Sequence, residues 1–308
     1  MKIQDFDIDL GHITRHPLAE AAFSLFSIGA IISLGTSASQ IQNFYAQAAA
    51  VVEATPVAFN APKIEAVSAL VYDAKTGKVL FEKNAEEKRP LASLTKLMSA
   101  EAVLSEKSLE TPVVITLDDL APEGDSGLKV GDTWTLKDLL TFGLIVSSND
   151  AMAAAAASAG TSSIIERMNE QAHSLGLTDM TFKNPTGLDL TSDEAGAYGS
   201  ARDMALLATD FLKRYPALFA ATVVPRTSLT VAGQQISATP TASPILDIPG
   251  LIGAKTGYTD LAGGNLVAAF DLEVGHPVVV VVLGSSIDGR FSDVRALIDA
   301  TRVQLLHN

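Results

Sequence analysis

The sequence contains no cysteine. That excludes disulfides, thiolate metal sites and cysteine nucleophiles at once. Histidine is scarce, with residues only at 12, 16, 173, 276 and 307, so a histidine-based triad has little to draw on. Positive charge is also short: 22 Lys and Arg stand against 35 Asp and Glu, a net charge of −13. No Lys/Arg cluster offers a face to nucleic acid, and the acidic surplus bears on solubility rather than on partners. Charged residues of all kinds make up 19% of the chain against 47% hydrophobic. Such a balance excludes disorder and implies a substantial core. With 308 residues the chain can form one large domain or two small ones.

One stretch lacks charge altogether. Ala21 to Ser39 holds no Asp, Glu, Lys or Arg, and a window of about 19 such residues is just long enough to span a bilayer. Its strongly apolar part, Ala21 to Leu34, has the length of a signal-peptide core. Ala46-Gln47-Ala48 offers a small-x-small cleavage site, whereas the acid-rich segment before the run (Asp5, Asp7, Asp9, Glu20) favours a retained anchor. Both readings place the bulk of the chain outside the cytoplasm. The expected organisation is a polar segment over 1–20, a signal or anchor over 21–39, an Ala-, Gln- and Pro-rich linker over 40–63, and a folded domain over 64–308.

Within that domain, residues 66–72 and 78–83 read as strands, and 93–104, 136–145, 150–159, 162–175 and 201–215 as helices. A short strand is expected at 113–115. Residues 250–257, 264–270 and 277–283 are strands again, and 291–306 closes the chain as a helix. The valine run in the last strand implies burial on both faces. Two N-terminal strands alone make a marginal sheet. The expected fold is therefore α/β, with a mainly antiparallel sheet from N- and C-terminal strands, flanking helices and a helix-rich insertion.

Three short patterns carry chemistry. In Ser93-Leu94-Thr95-Lys96, positions i and i+3 of a helix share a face, so a buried amine could take the hydroxyl proton of Ser93. The same letters also suit a helix cap followed by a surface lysine. In Ser147-Ser148-Asn149, an extended turn points a hydroxyl and an amide the same way, although taken alone these letters read first as an ordinary helix cap. In Lys255-Thr256-Gly257, a cation and a hydroxyl suit an anionic group, and the glycine allows close backbone approach; a lysine-blunted edge strand is the plainer alternative. The tetrapeptide Ala-Lys-Thr-Gly also occurs at 74–77. There, Asp73 before it and Gly77 at its end are what a type I turn with a left-handed residue needs, so a hairpin turn is expected.

Taken together, Ser-x-x-Lys, Ser-x-Asn and Lys-Thr-Gly in this order are the motif set of penicillin-binding proteins and serine β-lactamases. The flanks Arg89 to Met98, Ser147 to Ala151, Asn184-Pro185-Thr186-Gly187-Leu188-Asp189, Ser200 to Ala205 and Lys255 to Asp260 resemble the D-alanyl-D-alanine carboxypeptidase family, over roughly residues 64–305. The resemblance implies a DD-peptidase/β-lactamase-like fold and an acyl-enzyme on Ser93, with Lys96 as base and the Ser147 region aiding deacylation. It implies that Asn149 holds a substrate amide and that Lys255 and Thr256 bind the terminal carboxylate. The oxyanion hole would be the backbone N–H groups of Ser93 and of Tyr258, next to Gly257, and Arg290 would assist with the carboxylate. The implied substrate is a peptidoglycan stem peptide, with β-lactams as inhibitors, no metal or other cofactor, and membrane attachment only through the N-terminal segment. Ser148 departs from the glycine the family often has. A D,D-endopeptidase shares every motif. A β-lactamase would need Glu-x-x-x-Asn between Asn149 and Lys255, which is absent. A non-catalytic wall-binding protein would lack the nucleophile or base.

Overall fold

The computed structural model describes residues 59–306, apart from Asp125 and Ala232. The expected segments 1–20 and 21–39, and most of the 40–63 linker, lie outside the described residues. Among the described residues no helix is long and apolar enough to cross a membrane.

In chain order the elements are β1 (Ser68–Asp73), β2 (Val79–Lys83), β3 (Arg89–Pro90), α1 (Thr95–Glu106), β4 (Pro112–Val114), β5 (Thr133–Thr135), α2 (Leu136–Ile145), α3 (Asn149–Ala159) and α4 (Thr161–Ser174). There follow β6 (Thr181–Phe182), β7 (Ala197–Gly199), α5 (Ala201–Arg214), α6 (Pro216–Ala221), β8 (Thr227–Val231) and β9 (Gln234–Ala238). The chain closes with β10 (Leu251–Thr259), β11 (Gly263–Asp271), β12 (Pro277–Ser285) and α7 (Gly289–Leu306).

The main sheet has the order β10-β11-β12-β1-β2 and is antiparallel throughout. Strands from the two ends of the domain meet at its centre, with Leu70 opposite Val281. Residues 278–283 are fully buried, as their unbroken apolar run requires. Val279, Val281 and Leu283 face a core shared with α1 and α5, whereas Val278, Val280 and Val282 pack with Val294, Leu297 and Ile298 of α7. Burying a valine stabilises by roughly 2 kcal/mol, so this strand alone anchors both layers. Asp293 of α7 ties the layers at one end: its carboxylate accepts from the Glu65 and Ala66 amides and from Ser285 Oγ.

The remaining elements form the helix-rich insertion between β2 and β10. Polar residues set its helix starts. Thr135, Ser148 and Ser200 cap α2, α3 and α5 by accepting the amides of Asp138, Ala151 and Asp203. The single helix expected over 201–215 is followed at once by a second, because Pro216 cannot extend α5 but suits the first turn of α6. The β8–β9 hairpin and the short β3, β6 and β7 were not expected.

The first Ala-Lys-Thr-Gly is a turn. Asp73 Oδ1 accepts from the amides of Lys75 and Thr76 at 2.9 and 3.0 Å, Gly77 N donates to Asp73 O, and Gly77 has φ +75°. Lys75 is exposed.

One buried group works against stability. Glu101 of α1 is fully buried, neither carboxylate oxygen has a hydrogen-bond partner, and the nearest cation is Arg214 Nη1 at 3.6 Å. Burial, followed by the charge of Asp210, pushes its pKa up to about 8, against partial compensation by Arg214. The folded state therefore keeps a proton that the unfolded chain loses above about 4.5, and stability falls between about 4.5 and 8 as pH rises. Glu101→Gln is expected to stabilise by about 1–3 kcal/mol at pH 8 and much less at pH 5. Thermal melts at the two pH values check this; equal shifts would contradict it.

Candidate active site

Ser93 is not inside a helix. It sits in a short 3₁₀ turn, Ala92–Leu94, that feeds α1 at Thr95. The turn is held from three sides. Leu91 N donates to Ala197 O at the start of β7. A Cβ placed on Gly187 would lie 1.9 Å from the Ala92 carbonyl oxygen. A Cβ on Gly257 would lie 2.9 Å from Leu91 O and 3.1 Å from Ser93 N. The glycine of Lys-Thr-Gly thus admits the serine turn itself against β10. Ala92 adopts φ +49°, a left-handed conformation that costs an alanine roughly 1–2 kcal/mol and that these neighbours hold in place.

The expected Ser93–Lys96 contact is present. Lys96 Nζ lies 2.7 Å from Ser93 Oγ, 2.7 Å from Asn149 Oδ1 and 2.8 Å from Thr186 O. The lysine is wholly buried, and burial pulls its ammonium down to about 7. The three partners suit the neutral amine: two N–H groups donate to the two carbonyl oxygens, and the lone pair is left to accept the Ser93 proton. Asn149 is in turn fixed by its Nδ2, which donates to Glu123 O at 2.6 Å.

Ser147 and Asn149 converge as expected, but not through an extended turn. Ser147 has φ +63°, Ser148 is the extended cap of α3, and Asn149 is the first helical residue. The two side chains consequently serve different lysines. Ser147 Oγ accepts from Lys255 Nζ at 2.8 Å, and that amine also donates to Thr256 O. Lys255 is buried, and burial together with the charges of Lys96 and Arg290 lowers its pKa well below that of an ordinary lysine. Ser148, the departure from the familiar glycine, has a task of its own in capping Ala151 N.

The other expected residues lie at the margin. Thr256 Oγ1 donates to Thr241 Oγ1 at 2.7 Å, a partner that lies in none of the three motifs. Arg290 Nη1 donates to Gly257 O at 2.8 Å and its guanidinium stacks on Phe291, so here it braces the end of the Lys-Thr-Gly segment. The Tyr258 side chain is half-exposed, with its hydroxyl 3.3 Å from Asp260 Oδ1. A cleft of about 680 Å³ opens beside Asn149, bounded by Glu123, Leu188, Asp189, Tyr258 and Asp260 among others.

The antiparallel sheet, the helical insertion and the placement of the three motifs define a penicillin-binding D,D-peptidase fold. A D-alanyl-D-alanine carboxypeptidase from Mycobacterium tuberculosis superposes with a TM-score of 0.74 at 26% identity, over 81% of this chain and 95% of that one. Penicillin-binding protein D2 of Listeria monocytogenes, in its cefotaxime-bound form, does so with 0.69 at 29% identity, over 78% and 98%. The chain belongs to the D-alanyl-D-alanine carboxypeptidase family, whose profile matches residues 55–286. It is 34% identical over 244 residues to the D-alanyl-D-alanine carboxypeptidase DacF of Bacillus subtilis, covering 76% of this chain and 61% of that protein. The chain thus spans about three-fifths of that relative's length.

Proposed function

We propose that the protein is a serine D-alanyl-D-alanine carboxypeptidase acting on peptidoglycan stem peptides outside the cytoplasm. The carrying observation is the 2.7 Å contact between Ser93 Oγ and a buried lysine amine whose other two partners are both acceptors. As Ser93 Oγ attacks the carbonyl carbon of the D-alanyl-D-alanine bond, its proton passes to the Lys96 lone pair. The oxyanion forms against the amides of Ser93 and Tyr258, where each donor contributes on the order of 3 kcal/mol to the transition state. The C–N bond then breaks, and the departing amine takes the proton that Lys96 holds, which returns the lysine to its neutral form. This leaves an ester on Ser93 and free D-alanine. Water, deprotonated by Lys96, splits the ester and restores the serine.

Asn149 lines the cleft and holds the substrate amide. Lys255 and Thr256 receive the terminal carboxylate, with Arg290 supporting them through Gly257 O. A bound carboxylate supplies the negative charge that Lys255 lacks and draws it toward the ammonium form. β-Lactams enter as mimics of the substrate and acylate Ser93. The apolar 21–39 segment would attach the chain to a membrane if it is retained, and a cleaved chain would be secreted or periplasmic.

Digestion of purified muropeptides is the test. Pentapeptide stems are expected to lose one alanine, their mass falling as free D-alanine rises. Conversion of crosslinked dimers to monomers with pentapeptides left intact would assign the protein as an endopeptidase instead.

A further inference from the structure

The sequence 184–188 places a backbone carbonyl on Lys96, and that carbonyl is held by side chains the mechanism above does not use. Asn184 Oδ1 accepts from Thr186 N at 3.2 Å, Thr186 Oγ1 at 3.3 Å and Gly187 N at 2.7 Å. Its Nδ2 donates to Leu188 O at 2.9 Å. One amide therefore closes the loop on itself. The amide sits over Gly196, where a Cβ would lie 2.2 Å from Nδ2. A second hold comes from α1. Ser99, fully buried and three residues after Lys96, donates to Pro185 O at 2.6 Å. Lys96 and Ser99 share a helix face and grip the consecutive carbonyls of Thr186 and Pro185.

These contacts decide where the lysine lone pair points. An amine free to rotate presents its lone pair in any direction. With one N–H on Asn149 Oδ1 and another on Thr186 O, the remaining direction is Ser93 Oγ. Asn149 is fixed by α3 and Glu123 O; the Thr186 carbonyl is fixed only if its loop is. We infer that Ser99 and Asn184 are positioning residues that aim the Lys96 lone pair at Ser93 by holding the Thr186 carbonyl in place. The inference rests on Ser93 being the nucleophile and Lys96 its base.

The same geometry separates this role from simple packing. The Thr186 carbonyl also stabilises the ammonium form of Lys96 through a charge-assisted bond. Releasing it both misdirects the neutral amine and makes the ammonium less favourable. Burial lowers the pKa of this amine, the charged group it is coupled to is Lys255, and Lys255 is not altered by changes at 99 or 184. A slower reaction should therefore come with a lower pH midpoint.

The test is single-turnover acylation by a fluorescent penicillin from pH 5 to 9, on the full chain and on Ser99→Ala, Ser99→Thr, Asn184→Ala and the double alanine variant. The final amplitude counts competent molecules and the rate reads the aim of the base. Amplitude near one label per chain is expected, with the rate lowered about 10- to 100-fold in each alanine variant, as ångström-scale misplacement of a base produces. The midpoint should shift downward in both. Ser99→Thr, which keeps the hydroxyl, should recover to within about threefold of wild type. Because both residues act through one carbonyl, the double variant should be no more than about threefold slower than the slower single variant. If Asn184→Ala loses amplitude through misfolding, Ser99→Ala and Ser99→Thr decide alone. Alanine variants reacting within about threefold of wild type overturn the inference. So does a slowed rate at an unchanged midpoint, which indicates a packing defect. A wild-type chain that takes no label removes the Ser93 reading and this inference with it, an outcome distinct from labelling at undisturbed rates.

Discussion

Lys96→Ala is expected to lower the rate of penicillin acylation by about 10³- to 10⁴-fold, the upper range for removal of a positioned general base. Asn149 and the Thr186 carbonyl approach the same amine, but neither is a base at neutral pH. The wild-type rate should also carry the signature of that amine. Only the neutral form accepts the serine proton, so acylation should rise with pH through a midpoint near 7, where burial has placed Lys96. That limb should be missing from the residual activity of Lys96→Ala. The same burial leaves a mark on folding. Between about 7 and 10.5 the unfolded chain holds a proton that the folded chain has released, so this lysine makes stability rise with pH across that window. A Lys96→Met variant should lose that rise while gaining stability near pH 6, a trade of activity for stability. An unchanged pH–rate limb in Lys96→Ala, measured by stopped-flow labelling, would contradict the assignment.

The two Ala-Lys-Thr-Gly copies provide the second large effect. Lys255→Ala is expected to slow acylation about 100-fold or more, because it empties a buried position bonded to both Ser147 and the Thr256 carbonyl. Lys75→Ala should leave the rate within about twofold of wild type, as is usual for a surface change. Its side chain is exposed on a hairpin turn whose geometry is set by Asp73 and Gly77. Stability should respond little to Lys75→Ala, since the Asp73 bonds go to backbone amides rather than to the Lys75 side chain. Equal losses from the two substitutions, read in the same labelling assay, would mean the identical tetrapeptides had been assigned the wrong way round.

What could be read from the sequence follows a physical division. The side chains proposed for the chemistry are visible as letters, and in the structure Lys96 meets Ser93 and Asn149 while Lys255 meets Ser147. The sheet was legible because residues 278–283 are apolar without interruption and can be buried only between two layers. The hairpin turn was legible because Asp and Gly have local jobs there.

Backbone was not legible. The Thr186 carbonyl that completes the lysine's partners has no letter of its own, and neither does the left-handed Ala92 before the serine. Gly187 and Gly257 look like turn and strand glycines in the sequence, yet each marks a place where a distant segment packs against the Ser93 turn. Ser99 was overlooked because its partner is a carbonyl 86 positions away, although its spacing from Lys96 is a helical three. Arg290 was expected to assist with a substrate carboxylate, and its contact with Gly257 O depends on how α7 returns to β10.

The most direct measurement is intact-mass spectrometry after incubation with a penicillin, made on the wild type and on Ser93→Ala. The account predicts one penicilloyl adduct per wild-type chain, mapped by digestion to the peptide holding Ser93, and none on Ser93→Ala. An adduct that persists in Ser93→Ala, or a folded wild type that acquires none, would contradict it.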